Sequence, residues 1–231
     1  MDLKNRSPKK ELLDADNIPF EHIRQNMREL DRINHLLGGH RITLKGLGHF
    51  LKDGNQSLSI CEVGCGGGDN LRAIYNYCQK KKIPTQLIGI DMKPECIEYA
   101  RQQHVQLPVQ WICSDYKEVV FEQKKPDIVF SSLFCHHFNN KALVAMLGWM
   151  QQNSQRGFFI NDLHRHAAAY YSIAFITGLF SRSYLVKHDA PLSVARGFRK
   201  KEWDAIFAEA GIRQYHLNWM WAFRHLIVYK K

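Results

Sequence analysis

The chain has 231 residues, 45% hydrophobic and 23% charged, which is ordinary globular composition and enough length for a well-buried core. No stretch reaches the roughly 18–20 apolar residues of a membrane span, and Met1 to Lys10 lacks the apolar centre of a signal peptide, so a cytoplasmic location is expected. The net charge of +10 favours an anionic partner, but the basic residues form short clusters from Lys9-Lys10 to Lys230-Lys231, as solvated loops and helix ends do, rather than one nucleic-acid stripe.

In chain order, residues 1–18 are polar and read as a mobile lead. Phe20, Ile23, Met27, Leu30, Ile33 and Leu37 then share one helical face, with Pro19 at its start and Gly38-Gly39 at its end. A second short helix is expected from about Ile42 to Leu51. The two helices read as an extension, residues 1–55, ahead of a single globular unit, 56–231. They either pack on one edge of that unit or, through His35, Gly38, Gly39, His40 and Arg41, close over a ligand.

From Leu58 the pattern alternates strand and helix. Strands are expected at Leu58–Val63, Gln86–Ile90, Val109–Cys113, Asp127–Ser132 and Gly157–Ile160. Helices follow from Asp69, from Pro94 and around Leu143, Met146, Leu147 and Met150. Repeated strand–helix units argue for a doubly wound α/β fold with a mostly parallel sheet. Ala167 to Phe180 then carries no charged residue and reads as a helical lid insertion or an ordinary buried helix. A basic loop, Arg182 to Lys187, and a helix at about Lys200 to Glu209 follow. Two last strands, Arg213–Met220 and Phe223–Tyr229, are separated only by Trp221-Ala222, which permits only an antiparallel hairpin. The cysteines are scattered, without a Cys-x-x-Cys pair, and read as reduced core thiols.

The most informative stretch is Leu58 to Asn70. A strand breaks into Gly64, Gly66, Gly67 and Gly68, and Asp69 then starts a helix. Glycine permits positive φ and lets a ligand approach bare backbone, and a helix start offers unpaired N–H groups. A nicotinamide or flavin fingerprint, Gly-x-Gly-x-x-Gly, fails here: its third glycine falls on Asp69 in one register and Leu71 in the other.

Glu62-Val63-Gly64-Cys65-Gly66-Gly67-Gly68 fits acidic-x-Gly-x-Gly-x-Gly instead. In this the chain resembles the class I S-adenosylmethionine-dependent methyltransferases over residues 56–231. The resemblance implies a Rossmann-like, seven-stranded sheet with an antiparallel C-terminal hairpin, and S-adenosylmethionine as cofactor. It implies cofactor contacts at Glu62, Gly64, Cys65, Gly66, Gly68, Asp91, Met92, Asp115, Tyr116 and Ser132. Among these, Asp91 would take the ribose hydroxyls, and Asp115-Tyr116 the adenine.

The acceptor is read from the segments after strands four and five. Ser132 to Phe138 lacks the Asn/Asp-Pro-Pro-aromatic motif of enzymes that methylate exocyclic amino groups, which argues against nucleic acid. Its His-His-apolar form is similar to small-molecule methyltransferases of quinone and polyketide pathways, and Asn161 to Phe180 with Leu192 to Phe198 look similar to methyltransferases encoded beside type III polyketide synthases and phenolic-lipid enzymes. His137, His164 and His166 are candidate bases, with Asp162 as orienter, since histidine titrates near neutral pH; capping or pairing with carboxylates is the plainer role for each. Arg182, Lys187, Arg196 and Arg199 could meet a phenolate or carboxylate. The expected function is methyl transfer to a small aromatic or polyketide-like acceptor, most simply at oxygen. Carbon methylation, RNA methylation and a non-catalytic cofactor-binding subunit stand as alternatives.

Overall fold

The computed structural model describes residues 3–51 and 57–231. Helix α1 (Phe20–Leu36) turns Ile23 and Met27 inward, as its spacing predicts. Gly38, at φ +74°, breaks it and at once begins α2 (Gly39–Gly48), which therefore starts earlier than expected. The predicted boundary at residue 55/56 lies outside the described residues. Thr43 Oγ1 donates to Asn70 at 2.9 Å, and a Cβ on Gly46 would lie 2.5 Å from the Phe159 ring, so α2 packs directly on the unit that follows.

Seven strands form one sheet in the order β3-β2-β1-β4-β5-β7-β6. They are β1 (Leu58–Val63), β2 (Thr85–Asp91), β3 (Val109–Cys113), β4 (Ile128–Ser132), β5 (Gly157–Leu163), β6 (His216–Met220) and β7 (Arg224–Lys230). The first five run parallel; β7 is antiparallel to both β5 and β6, the expected hairpin. Strand order reverses between β1 and β4, and in a doubly wound sheet a ligand crevice opens at that point, beyond the carboxyl ends of the strands.

Apolar side chains fill both faces of the sheet. On one face α5 (Asn140–Asn153) and α8 (Lys200–Glu209) cover Phe158 and Ile160 with Leu147, Trp203 and Phe207. On the other, α2 and α3 (Asp69–Lys80) cover Ile60, Phe130 and Phe159 with Leu71 and Ile74. Each such side chain contributes about 1.5–3 kcal/mol by leaving water. Helix α4 (Pro94–Gln103) meets α1 through Cys96, Tyr99, Ile23 and Met27.

Three elements depart from expectation. Strand β5 runs on through Asn161, Asp162 and Leu163, because β7 continues alongside and pairs Leu163 with Arg224. The supposed basic loop is the start of α7 (Tyr184–Arg196), which follows α6 (Ala167–Phe180); Ser183 caps it by accepting from Val186 N. The polar N-terminal lead is pinned rather than loose. Leu12 and Leu13 N–H donate to Asp189 at 2.8 and 2.9 Å, and the Arg6 guanidinium stacks 4.0 Å above the Phe198 ring. Glu11 is only 6% exposed. This strap closes one side of the crevice. No helix among the described residues is long and apolar enough to cross a membrane.

Candidate functional site

The carboxyl ends of β1, β2 and β4 open into a cavity of about 910 Å³, walled further by the strap, α1, α6 and α7. That is room for a cofactor-sized ligand together with a small acceptor.

At one end lies the glycine turn. Gly64, Gly66 and Gly68 all have positive φ. A Cβ on Gly64 would meet the Phe134 ring at 2.3 Å, whereas one on Gly66 would meet only Met27 Sδ, at 3.7 Å. Gly64 is therefore fixed by packing, and Gly66 by backbone shape beside open space. The Gly66 and Lys93 N–H groups donate to the two oxygens of Asp91, each at 2.9 Å. Burial raises the Asp91 pKa against these bonds.

Polar atoms left without partners face the same space. Asn70 donates to Glu62 Oε1 at 3.1 Å, but Oε2 has no partner among the described residues. Burial, reinforced by Asp69 and Asp91, pushes the Glu62 pKa well above the carboxylate range. Arg224 is 2% exposed; it donates through Nη2 to Asn34 at 3.0 Å, while Nε and Nη1 are unpartnered. Its burial lowers the guanidinium pKa to about 10. Asn26 Nδ2 is also unpartnered. A buried polar group without a partner costs about 1–3 kcal/mol, so these atoms, on residues of the cavity wall, are candidates for ligand contacts.

The turn Cys135–His137 forms a further part of the wall. Asp162 Oδ2 accepts from Phe134 N and Cys135 N, at 3.2 and 2.8 Å, and Oδ1 stands 2.8 Å from His136 Nδ1. Burial depresses the His136 pKa, but Asp162 and Glu11 outweigh it and carry it up to about 9. His137 Nδ1 stands 3.0 Å from Asp14 Oδ1. Arg196 donates to the His136 and His137 carbonyls at 3.0 and 2.7 Å, fixing the turn from behind.

Of the residues predicted from sequence, Glu62, Gly64, Cys65, Gly66, Asp91, Met92, Ser132 and His137 line the cavity. The others are placed elsewhere. Gly68 backs onto Trp111, which a Cβ would strike at 2.4 Å. Asp115 caps a short turn by accepting from Lys117 N, and Tyr116 is buried in the core against Trp149, ring centroids 5.3 Å apart. Asp162 sits within the sheet, fully buried, and orients His136 rather than His164 or His166. His164 accepts from Trp219 Nε1 at 3.2 Å, and His166 caps α6 through Ala168 N and stacks on Phe223 at 5.0 Å. Neither lies on the cavity wall. Arg196 reaches the cavity; Arg182, Lys187 and Arg199 do not. His40 is bonded to Asp69 at 2.6 Å rather than closing over the cavity.

Sequence reasoning missed Glu11, Asp14, His136, Asn26 and Arg224. His136 was adjacent to a chosen residue. Arg224 carried a signal, a charge opening a run that is otherwise buried, but nothing in the strap marked Glu11.

Residues 60–157 match the family described as a methyltransferase domain. That match covers less than half of the chain. A malonyl-[acyl-carrier protein] O-methyltransferase of Anoxybacillus flavithermus is 27% identical over 99 residues, 43% of this chain and only 36% of that protein, so the likeness spans about a third of the relative. Among solved structures, the plantazolicin methyltransferase BpumL in complex with SAH superposes with a TM-score of 0.65 at 16% identity, covering 94% of this chain and 91% of that one. The magnesium protoporphyrin IX methyltransferase of Synechocystis PCC 6803, also with SAH, gives 0.54 at 17% identity, covering 83% and 81%. The fold is thus that of S-adenosylmethionine-dependent methyltransferases. The methyltransferase domain match holds the glycine turn, Asp91 and the His136-His137 turn; the strap, α6, α7 and β7 lie outside it.

Proposed function

We propose that this chain transfers the methyl group of S-adenosylmethionine to an oxygen of a small acceptor with an apolar body. The observation that carries the reading is one cavity lined by the glycine turn, Asp91, Glu62 and His137. The cofactor, when bound, supplies an electrophilic methyl on a sulfonium centre.

Asp91 offers two acceptor oxygens for the vicinal ribose hydroxyls. The unpartnered Glu62 Oε2 suits the ammonium of the methionine part, and the unpartnered Nε and Nη1 of Arg224 suit its carboxylate. The backbone at Gly64 to Gly66 carries the cofactor's middle. An acid-rich wall, with Asp69 and Glu95 besides Glu62 and Asp91, suits a cationic cofactor and repels a polyanion, which counts against RNA.

His137 is the base. It reaches the cavity, and Asp14 orients its ring, whereas His136 is held as a cation by Asp162 and Glu11. Positioning of acceptor oxygen, methyl and sulfur supplies most of the rate. Alongside, Ile173 and Ile176 of α6 line the cavity while Phe175, 70% exposed, and Leu179 and Phe180 face outward. Exposed Trp221 stands at the same rim. That apolar mouth matches an acceptor with a flat or aliphatic body. The curated relative's name, an O-methyltransferase, supports oxygen as the atom methylated.

The test is an activity screen with methyl-labelled cofactor over phenols, polyketide-like acids and fatty carboxylates, read by mass spectrometry. Methylation of at least one apolar hydroxyl or carboxyl compound, lost in His137→Ala, is expected. Label moving only to RNA would contradict the reading.

A further inference from the structure

Glu11, His136 and His137, all on the cavity wall, each offer one ligand atom, and these atoms lie within 4.8 Å of one another. Each imidazole is held from behind by its own carboxylate. His136 Nδ1 is 2.8 Å from Asp162, and His137 Nδ1 is 3.0 Å from Asp14. His136 Nε2 stands 3.4 Å from Glu11 Oε1, and His137 Nε2 stands 3.6 Å from Glu11 Oε2. These separations exceed a good hydrogen bond. They lie close to the ~3.3 Å between two ligands on a tetrahedral ion with bonds of about 2.0–2.1 Å. Ser193 Oγ donates to Glu11 at 2.7 Å and fixes that carboxylate. A carboxylate behind each imidazole is the outer arrangement that sets the tautomer and aim of metal-binding histidines.

Charge points the same way. Glu11, Asp14 and Asp162 carry three carboxylates, against the guanidinium groups of Arg6 and Arg196 nearby. Three carboxylates against two guanidinium groups leave room for one more positive charge, which either a proton on His136 or a bound ion can supply. The second acid–histidine cluster of the molecule differs. His40 is hydrogen-bonded to Asp69 at 2.6 Å, and Arg72 meets Asp31 at 2.8 Å, so its cation is already present.

We propose that Glu11, His136 and His137 form a binding site for a divalent transition ion of the zinc class, with an open position toward the cavity. Two imidazoles and one carboxylate are a donor set that such ions take. Because Glu11 belongs to the strap, the ion also fastens the strap over the crevice. The ion's role, though not its site, rests on the reading above. An acceptor hydroxyl beside the ion gives its proton to solvent, and its oxygen bonds the methyl carbon as the sulfur–methyl bond breaks, the electron pair staying on sulfur. His137 is the base only in the ion-free chain; with the ion bound it is a ligand and takes no proton.

The full chain, stripped with a chelator, is titrated with Zn2+ and with Co2+, read by calorimetry and by visible Co2+ absorption. One ion per chain is expected, with affinity at least about tenfold weaker in Glu11→Gln and in His137→Ala, and unchanged in His164→Ala, which lies in the separate histidine group by Trp219. Protease cleavage within residues 3–19 of the unaltered chain should slow when the ion is added, a readout that needs no variant. No saturable binding, equal affinity in both Glu11→Gln and His137→Ala, or cleavage indifferent to the ion would overturn the site. Binding of SAH to the stripped chain is measured in parallel. If it persists while the ion fails to bind, the metal site falls and the methyltransferase reading stands.

Discussion

The Glu11 carboxylate stands 3.4 Å from His136 Nε2, so the N-terminal strap and the turn after β4 share one buried polar cluster. The strap is thus a wall of the site. In the metal-free chain, Glu11→Ala leaves a buried histidine cation with Asp162 as its main counter-charge. A loss of about 2–3 kcal/mol is expected by urea unfolding. A change within experimental error would show that the strap is not held through this contact.

Three histidines chosen from sequence should now separate. His137 lines the cavity, His164 is bonded to Trp219 and His166 caps α6. His137→Ala should lower turnover by about 10²–10⁴-fold, the usual worth of a positioned base. His164→Ala and His166→Ala should keep turnover within a few-fold, apart from a cap loss of about 1 kcal/mol of stability in the latter. Steady-state rates on one accepted substrate decide it, and equal losses in all three would contradict the placement.

Much of the fold was legible because it is written in local pattern. The alternation of apolar strands with amphipathic helices gave β1 to β5, and Trp221-Ala222 gave the terminal hairpin. The glycine turn and Asp91 were legible because they match the motifs of the family the sequence resembles, at the ends of the neighbouring parallel strands β1 and β2. The rest of the cavity wall was not. Glu11, Arg224 and Asn26 come from three distant elements and reach one cavity only through tertiary packing. Asp115 and Tyr116 sit at the expected strand end, yet a local cap and a core aromatic contact hold them.

Gly46 tests the packing of α2 on the sheet. Alanine is the better helix former by about 1 kcal/mol. Here its Cβ would lie 2.5 Å from the Phe159 ring, itself fully buried and stacked on Phe130 at 4.8 Å. Overpacking of about 1–3 kcal/mol outweighs the propensity gain. Gly46→Ala should therefore destabilise by about 1 kcal/mol or more in urea; stabilisation would mean that α2 stands off the sheet.

His225 gives a pH dependence. Burial, and then the charge of His164, push its pKa down to about 4. The unfolded chain takes up the proton near pH 6.5 and the folded chain only near 4, so the unfolded state binds more protons between these values. This contribution to stability is complete above about pH 6.5 and is lost as pH falls toward 4, by about 3 kcal/mol. Urea unfolding of the parent chain and of His225→Gln, from about pH 7 to about pH 4.5, should show a shallower slope in the variant. Identical slopes would contradict the assignment.

The central claim is that S-adenosylmethionine occupies the cavity across the glycine turn, held at Asp91. Calorimetric titration of the purified chain with SAH, beside Asp91→Ala, tests it most directly. One ligand per chain is expected, with affinity weakened about 10- to 100-fold in the variant, as two hydrogen bonds to a carboxylate are lost. No heat of binding at concentrations far above micromolar, or equal affinity in Asp91→Ala, would contradict it.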